Sequence, residues 1–273
     1  SLLPCVTVKD VEKERFYTSG HKLEDDGKIK YFYHAGTNGI DYTTKVFSVR
    51  SVDLDDLRYS NFFSDVVTSV GLGNKDYEQV QKEQSLNTGG LGFNFNVLPK
   101  GSTDQFLLSA GLHGSSLKKN FSKLESLMNE TIHGFRLDEI KRLEELTQFE
   151  IAGKEKSITQ SGHILAMSSA SSQISEFGAI SEFVGGVTSI HNLKTLRDEN
   201  GKIKIDDLLS SFTKLKSLID PTSKLEVVIS ANNGNVDQQT TTKSGLENLD
   251  ILNGYLKQKK TGLPHVTLKI GAS

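Results

Sequence analysis

Seven histidines and one cysteine limit the chemistry open to this chain. A compact zinc site needs imidazoles or thiolates at fixed spacing. On a helix this takes the form His-x-x-Glu-His or His-Glu-x-x-His, where the two His hold the metal and the Glu activates a water. His34, His113, His133, His163, His191 and His265 have no Glu three residues on. His21 does, in His21-Lys22-Leu23-Glu24-Asp25, but the fifth position is Asp and the segment reads as a charged, solvated turn. His-Glu-x-x-His does not occur. A single thiol, Cys5, supports neither a thiolate cluster nor an intramolecular disulfide. No catalytic, metal or cofactor-binding residue is assigned, and substrate-binding residues are left open.

The remaining candidates have simpler explanations. Gly71-Leu72-Gly73-Asn74-Lys75 superficially suggests a phosphate loop. A phosphate loop requires Lys-Ser/Thr after its last Gly and backbone amides that open a helix, whereas this segment ends one. His163 in Ser161-Gly162-His163 would be a general base or a peptide contact if functional. With no Gly-x-Ser-x-Gly elbow or Cys beside it, a helix-start histidine bonded to a backbone carbonyl is preferred. The carboxylates Glu144-Glu145, Glu24-Asp25-Asp26 and Asp55-Asp56 are adjacent in sequence. Neighbouring side chains point apart, so these read as solvated faces. Lys257-Gln258-Lys259-Lys260 fits a helix C-terminus, where cations complement the dipole. With 32 Lys+Arg against 34 Asp+Glu, charge gives no case for a nucleic-acid partner or an anionic membrane. No run approaches the ~18 apolar residues of a membrane span.

The elements that would position these residues follow from periodicity. A hydrophobic fraction of 36% is enough for a packed core. Ile29–Tyr33 and Ile40–Val49 are expected strands, parted by the turn Gly36-Thr37-Asn38-Gly39. Asp53–Val70 and Asp76–Leu86 are expected helices, with Asp53 as a cap and Gly71 and Gly73 as stops. Leu91, Phe93, Phe95 and Val97 alternate with Gly92, Asn94 and Asn96, predicting a strand with one buried face that pairs in a hairpin with Gln105–Leu112. Ser115–Thr131 is expected to bury Leu117, Phe121, Leu124, Leu127 and Met128. Leu137–Ile151 is expected to bury Leu137, Ile140, Leu143, Leu146 and Phe149. Ser157–Ile174 is rich in small residues and expected to be a largely covered helix, with a break at Gly178. Val187–Leu196 and Asp206–Ile219 are further helices, the latter stopped by Asp220-Pro221. Lys224–Ser230 is a strand, Leu246–Leu256 a last helix and Leu263–Ile270 an extended tail. Runs of like elements, rather than strict βαβ alternation, indicate α+β.

Five segments occur in a telling order: Leu3-Pro4, Thr37-Asn38-Gly39-Ile40-Asp41-Tyr42, Asn87-Thr88-Gly89-Gly90-Leu91, Ser161-Gly162-His163 and Ser181-Glu182-x-x-Gly185-Gly186. In that order the chain, over roughly residues 2–256, resembles the third, non-catalytic domain of the presequence-protease branch of the pitrilysin/insulinase metallopeptidases. The resemblance implies a mostly antiparallel sheet covered by helices, as in the mitochondrial-processing-peptidase type of half-domain. It divides the chain into a leading segment (1–27), the domain proper (28–258) and an extension (259–273) toward a fourth domain. It implies a piece cut from a larger enzyme whose zinc belongs to the first domain and whose two halves close around a chamber for unfolded peptides. The implied partners are the catalytic half and those peptides. The single Cys5 is compatible with a reducing compartment. The alternatives are an inactive peptide-binding or partner-subunit protein of the same fold, and an unrelated α+β interaction domain.

Overall fold

The computed structural model describes residues 7–10, 20–25, 28–99, 106–230 and 254–257. The alternating segment is β5 (Gly90–Pro99), paired antiparallel with β6 (Phe106–Leu117), as expected for the hairpin. β6 also pairs antiparallel with β3 (Ile40–Val49), and β3 in turn with β7 (Ile219–Ser230). β7 lies parallel to β2 (Lys28–His34), and β1 (Gly20–Asp25) closes that edge antiparallel to β2. Beyond the end of β3, β6 also pairs with β8 (Gly254–Lys257), which lies parallel to β4 (Val52–Asp53). The sheet is thus mostly antiparallel, and the fold is α+β as expected.

Helices α1 (Ser60–Val67), α3 (Phe121–Gly134), α4 (Ile140–Gln160) and α8 (Ile205–Leu218) carry the core against one face of the sheet. Phe63 is fully buried at its centre, with ring centroids 5.3–6.3 Å from Phe212, Phe135, Phe95 and Phe93. Edge and tilted aromatic pairs of this kind each contribute about 0.5–1.5 kcal/mol beyond the area they bury. On β3 the residues facing the helices are Asp41, Thr43, Lys45, Phe47 and Val49, polar at one end and apolar at the other. A smaller cluster of Ile29, Tyr31 and Leu225, flanked by Tyr33, Val46 and Val227, sits on the opposite face.

Several expected boundaries move. β1 runs through Asp25, so His21 and Glu24 lie in a strand rather than in a turn. Asp53–Val70 divides into β4, a 3-10 turn (Leu54–Leu57) and α1, and the Asp53 side chain caps neither helix. α2 (Tyr77–Asn87) begins with a reciprocal cap in which Gln79 N–H donates to Asp76 Oδ1 and Asp76 N–H donates to Gln79 Oε1. β6 extends to Leu117, so Leu117 is an exposed strand residue, not part of the α3 face.

The buried line of α4 is Leu143, Thr147 and Ile151, while Ile140 and Phe149 are exposed. A spacing of three residues drifts about 60° per step around a helix, so five such residues cannot share one face. Spacing of four drifts less, and Thr147 is tolerated there because its hydroxyl donates to Leu143 O at 2.6 Å. α8 ends at Leu218, and β7 begins at once and runs through Asp220-Pro221. Leu256 lies in β8, not in a helix. The rest of the expected last helix and the tail 263–270 fall outside the described residues.

Candidate functional site

Each described histidine whose side chain is placed (His34, His113, His133, His163 and His191) is exposed, and each stands on a different element. Among the described residues no group of three or more His, Cys, Asp and Glu is placed to hold a metal ion. His163 is the second residue of α5 (Gly162–Ser171), and its ring makes no hydrogen bond to a described residue, so the expected carbonyl partner is not found. Asp55 and Asp56 lie in the 3-10 turn, where Asp56 is ion-paired with Lys214 of α8 rather than merely solvated. Gly71 stands between α1 and α2, and its N–H donates to Glu139 Oε2 at 2.6 Å, so the glycines there serve a chain reversal.

Leu3-Pro4 lies outside the described residues, and the other ordered segments fall in two places. Thr37–Tyr42 and Asn87–Leu91 meet at one end of the sheet. There Gly89 N–H donates to Ser115 O (2.7 Å) and Lys118 N–H to Gly39 O (3.0 Å). In the Thr-Gly-Gly turn Gly90 has φ +133°, a conformation that favours glycine, and a Cβ on Gly89 would require the Ser115 hydroxyl to turn aside. Between these turns lies a cavity of about 410 Å³ lined by Tyr42, Leu86, Thr88, Ser116, Leu117 and Asn120, among others. The buried Ser116 hydroxyl has no hydrogen-bond partner among the described residues. The cavity's described lining residues include no Asp, Glu, His, Lys or Arg.

The Ser161–Leu196 stretch builds the second place. α5 is followed by α6 (Glu176–Gly185) and α7 (Val187–Thr195). The break lies at Ser172–Ser175, not at Gly178. Gly178 is inside α6, where the Ser175 hydroxyl accepts from its N–H at 3.0 Å and a Cβ would run into the carbonyl of Ser171. Glu182 is buried and accepts from Thr188 N–H (2.9 Å) and Thr188 Oγ1–H (2.7 Å), placing a carboxylate at the start of α7. A negative group there complements the helix dipole. Asn61 Nδ2 of α1 donates to Val184 O (2.9 Å) and ties the corner to the core. Ser181-Glu182-x-x-Gly185-Gly186 is thus an architectural corner.

α5 departs from expectation. None of its residues is buried, and Ile164 and Met167 are 57% and 68% exposed. With Phe149, Ile158, Ile174 and Phe177 they leave apolar side chains exposed along α4, α5 and the start of α6. On the sheet face opposite the helices, burial pushes the Tyr33 phenol up, helped by Tyr31, whose ring stacks on it at 6.3 Å. Among the described residues no helix is long and apolar enough to cross a membrane.

Known proteins share this organisation. A model of the family described as peptidase M16 (subfamily C) associated matches residues 1–196. "Protein HypA" of Clostridium perfringens is 28% identical over 220 residues, which are 80% of this chain and 22% of that protein. The mitochondrial presequence protease of Drosophila melanogaster is 25% identical over 211 residues, 77% of this chain and 20% of that protein. A conserved protein of Enterococcus faecalis V583 shares the fold with TM-score 0.50 at 11% identity, over 85% of this chain and 51% of that one. The chain spans about a fifth of the curated relatives it matches.

Proposed function

We infer the role of this chain from one premise: it belongs to the peptidase M16 (subfamily C) associated family, whose model matches well over half of it. We propose that it is the non-catalytic part of a zinc metalloendopeptidase acting on unfolded peptides. In this reading it forms chamber wall and inter-domain surface, while the metal-bearing half of the same polypeptide does the chemistry. The observation that carries the reading is the family match in a chain whose described residues gather no metal-ligand cluster. The exposed apolar side chains Ile164 and Met167 of α5 add support, since an inter-domain surface would cover them.

The test compares this chain with the longer polypeptide that carries it. The expected result is zinc and cleavage of an unfolded peptide by the longer protein only. Met167→Asp should weaken that cleavage while leaving the melting temperature of this chain unchanged. Stoichiometric zinc and cleavage by this chain alone would reject the reading. A flanking sequence without a zinc motif would favour an inactive, partner-subunit role.

A further inference from the structure

A second cavity, of about 560 Å³, lies between α3 and strands β1, β2, β3 and β7, at the other end of the sheet from the Thr-Gly-Gly turn. On its floor three charged residues stand side by side in register, Lys30 on β2, Glu226 on β7 and Lys45 on β3. The single carboxylate between the two lysines is drawn away from Lys45. Glu226 Oε1 pairs with Lys30 Nζ at 3.1 Å and accepts from Thr43 Oγ1 at 3.4 Å. Glu125 of α3 also turns to Lys30, at 3.5 Å.

Lys45 is left in an unusual state. It is only 9% exposed, and among the described residues its Nζ donates only to the neutral amide oxygen Asn129 Oδ1, at 2.7 Å. No carboxylate of the described residues comes within ion-pairing distance of it. An ammonium carries three donors, and burying one without a counter-charge is costly. Among the described lining residues Lys28, Lys30 and Lys45 face one carboxylate, Glu226, and Leu23, Phe47, Ile132 and Pro221 give the cavity apolar walls.

We propose that this cavity binds a carboxylate carried on an apolar body, as at the C-terminal residue of a peptide, with Lys45 as the charge that receives it. The buried position of Lys45 selects a chain end over a mid-chain acidic residue, because an end reaches a recessed point charge without bending the backbone. The apolar walls select a hydrophobic last side chain. This inference does not depend on the enzymatic role of the parent protein, since it concerns binding by this chain alone.

The test uses the full 273-residue chain and a short peptide ending in leucine, titrated by calorimetry or NMR as the free acid and as the C-terminal amide, with acetate as a third probe. The free acid is expected to bind at least about tenfold more tightly than either the amide or acetate. Lys45→Met is expected to abolish that preference while the protein stays folded, since removing an uncompensated buried charge is not itself destabilising. Equal binding of acid and amide, acetate binding as tightly as the peptide, or a preference that survives in Lys45→Met would overturn the proposal. If the Met variant does not fold, the acid-against-amide comparison on the unaltered chain still decides.

Discussion

α5 and the α6–α7 corner are adjacent and opposite in burial. Six of the ten α5 residues are Ser, Ala or Gly, against six of the twenty from Glu176 to Thr195. In α6, Gly178, Ala179, Ile180, Glu182 and Phe183 are all buried, whereas α5 has no buried residue. Small side chains permit close approach but do not bring it about. The corner is held by particular groups: the Asn61 amide on Val184 O, the Glu182 carboxylate on Thr188, and Ile180 in the core cluster. α5 has no such anchors among the described residues. Its apolar side chains Ile164, Leu165 and Met167 point in different directions around the helix, so no single stripe faces the core.

Four substitutions sharpen or break this contrast. Ile180→Ala, at a buried core position, should cost about 2–5 kcal/mol in denaturant unfolding. Glu182→Ala strips the partner from a buried amide and hydroxyl and should cost about 1–3 kcal/mol, with amide exchange accelerated first at Thr188 and the start of α7. Gly178→Ala forces a methyl against the Ser171 carbonyl, so the α5–α6 junction must shift. We expect a loss of about 1–2 kcal/mol and a lower melting temperature, although alanine is the better helix former. Ile164→Ala in α5 should change stability by no more than about 0.5 kcal/mol, as at other exposed sites. A loss from Ile164→Ala as large as that from Ile180→Ala would show α5 to be packed, and the contrast would fail.

Where signals are local, the chain was readable. The alternation from Leu91 to Val97 names a strand and its buried face, because side chains on a strand alternate sides. Thr88-Gly89-Gly90 names a turn, and the positive φ of Gly90 is the reason for glycine in it. The α4 face was misjudged because Ile140, Leu143, Leu146 and Phe149 look periodic in a list yet wind around the cylinder. The corner motif was visible as a run of letters. Its purpose was not, since nothing in Ser181-Glu182 announces that the carboxylate will cap the next helix.

The candidate sites were less legible than the fold. The turns around the smaller cavity, Thr37–Tyr42 and Asn87–Leu91, could each be singled out, but not their convergence. Lys45 gave no signal, being one lysine in a strand of ordinary pattern. It became distinctive only when β7, nearly two hundred residues away in the chain, brought Glu226 beside it and Lys30 drew that carboxylate off.

By itself the amino-acid order determined most of the element types, the α+β class, the hairpin and the scarcity of metal-binding spacings. These depend on neighbours within a few positions, where side-chain period and turn chemistry act directly. Tertiary structure alone decided that β7 separates β2 from β3, that α5 stays uncovered while α6 does not, and that one lysine is buried beside a neutral amide. Each of those outcomes depends on which distant surfaces meet, and burial and charge pairing exist only after they have met.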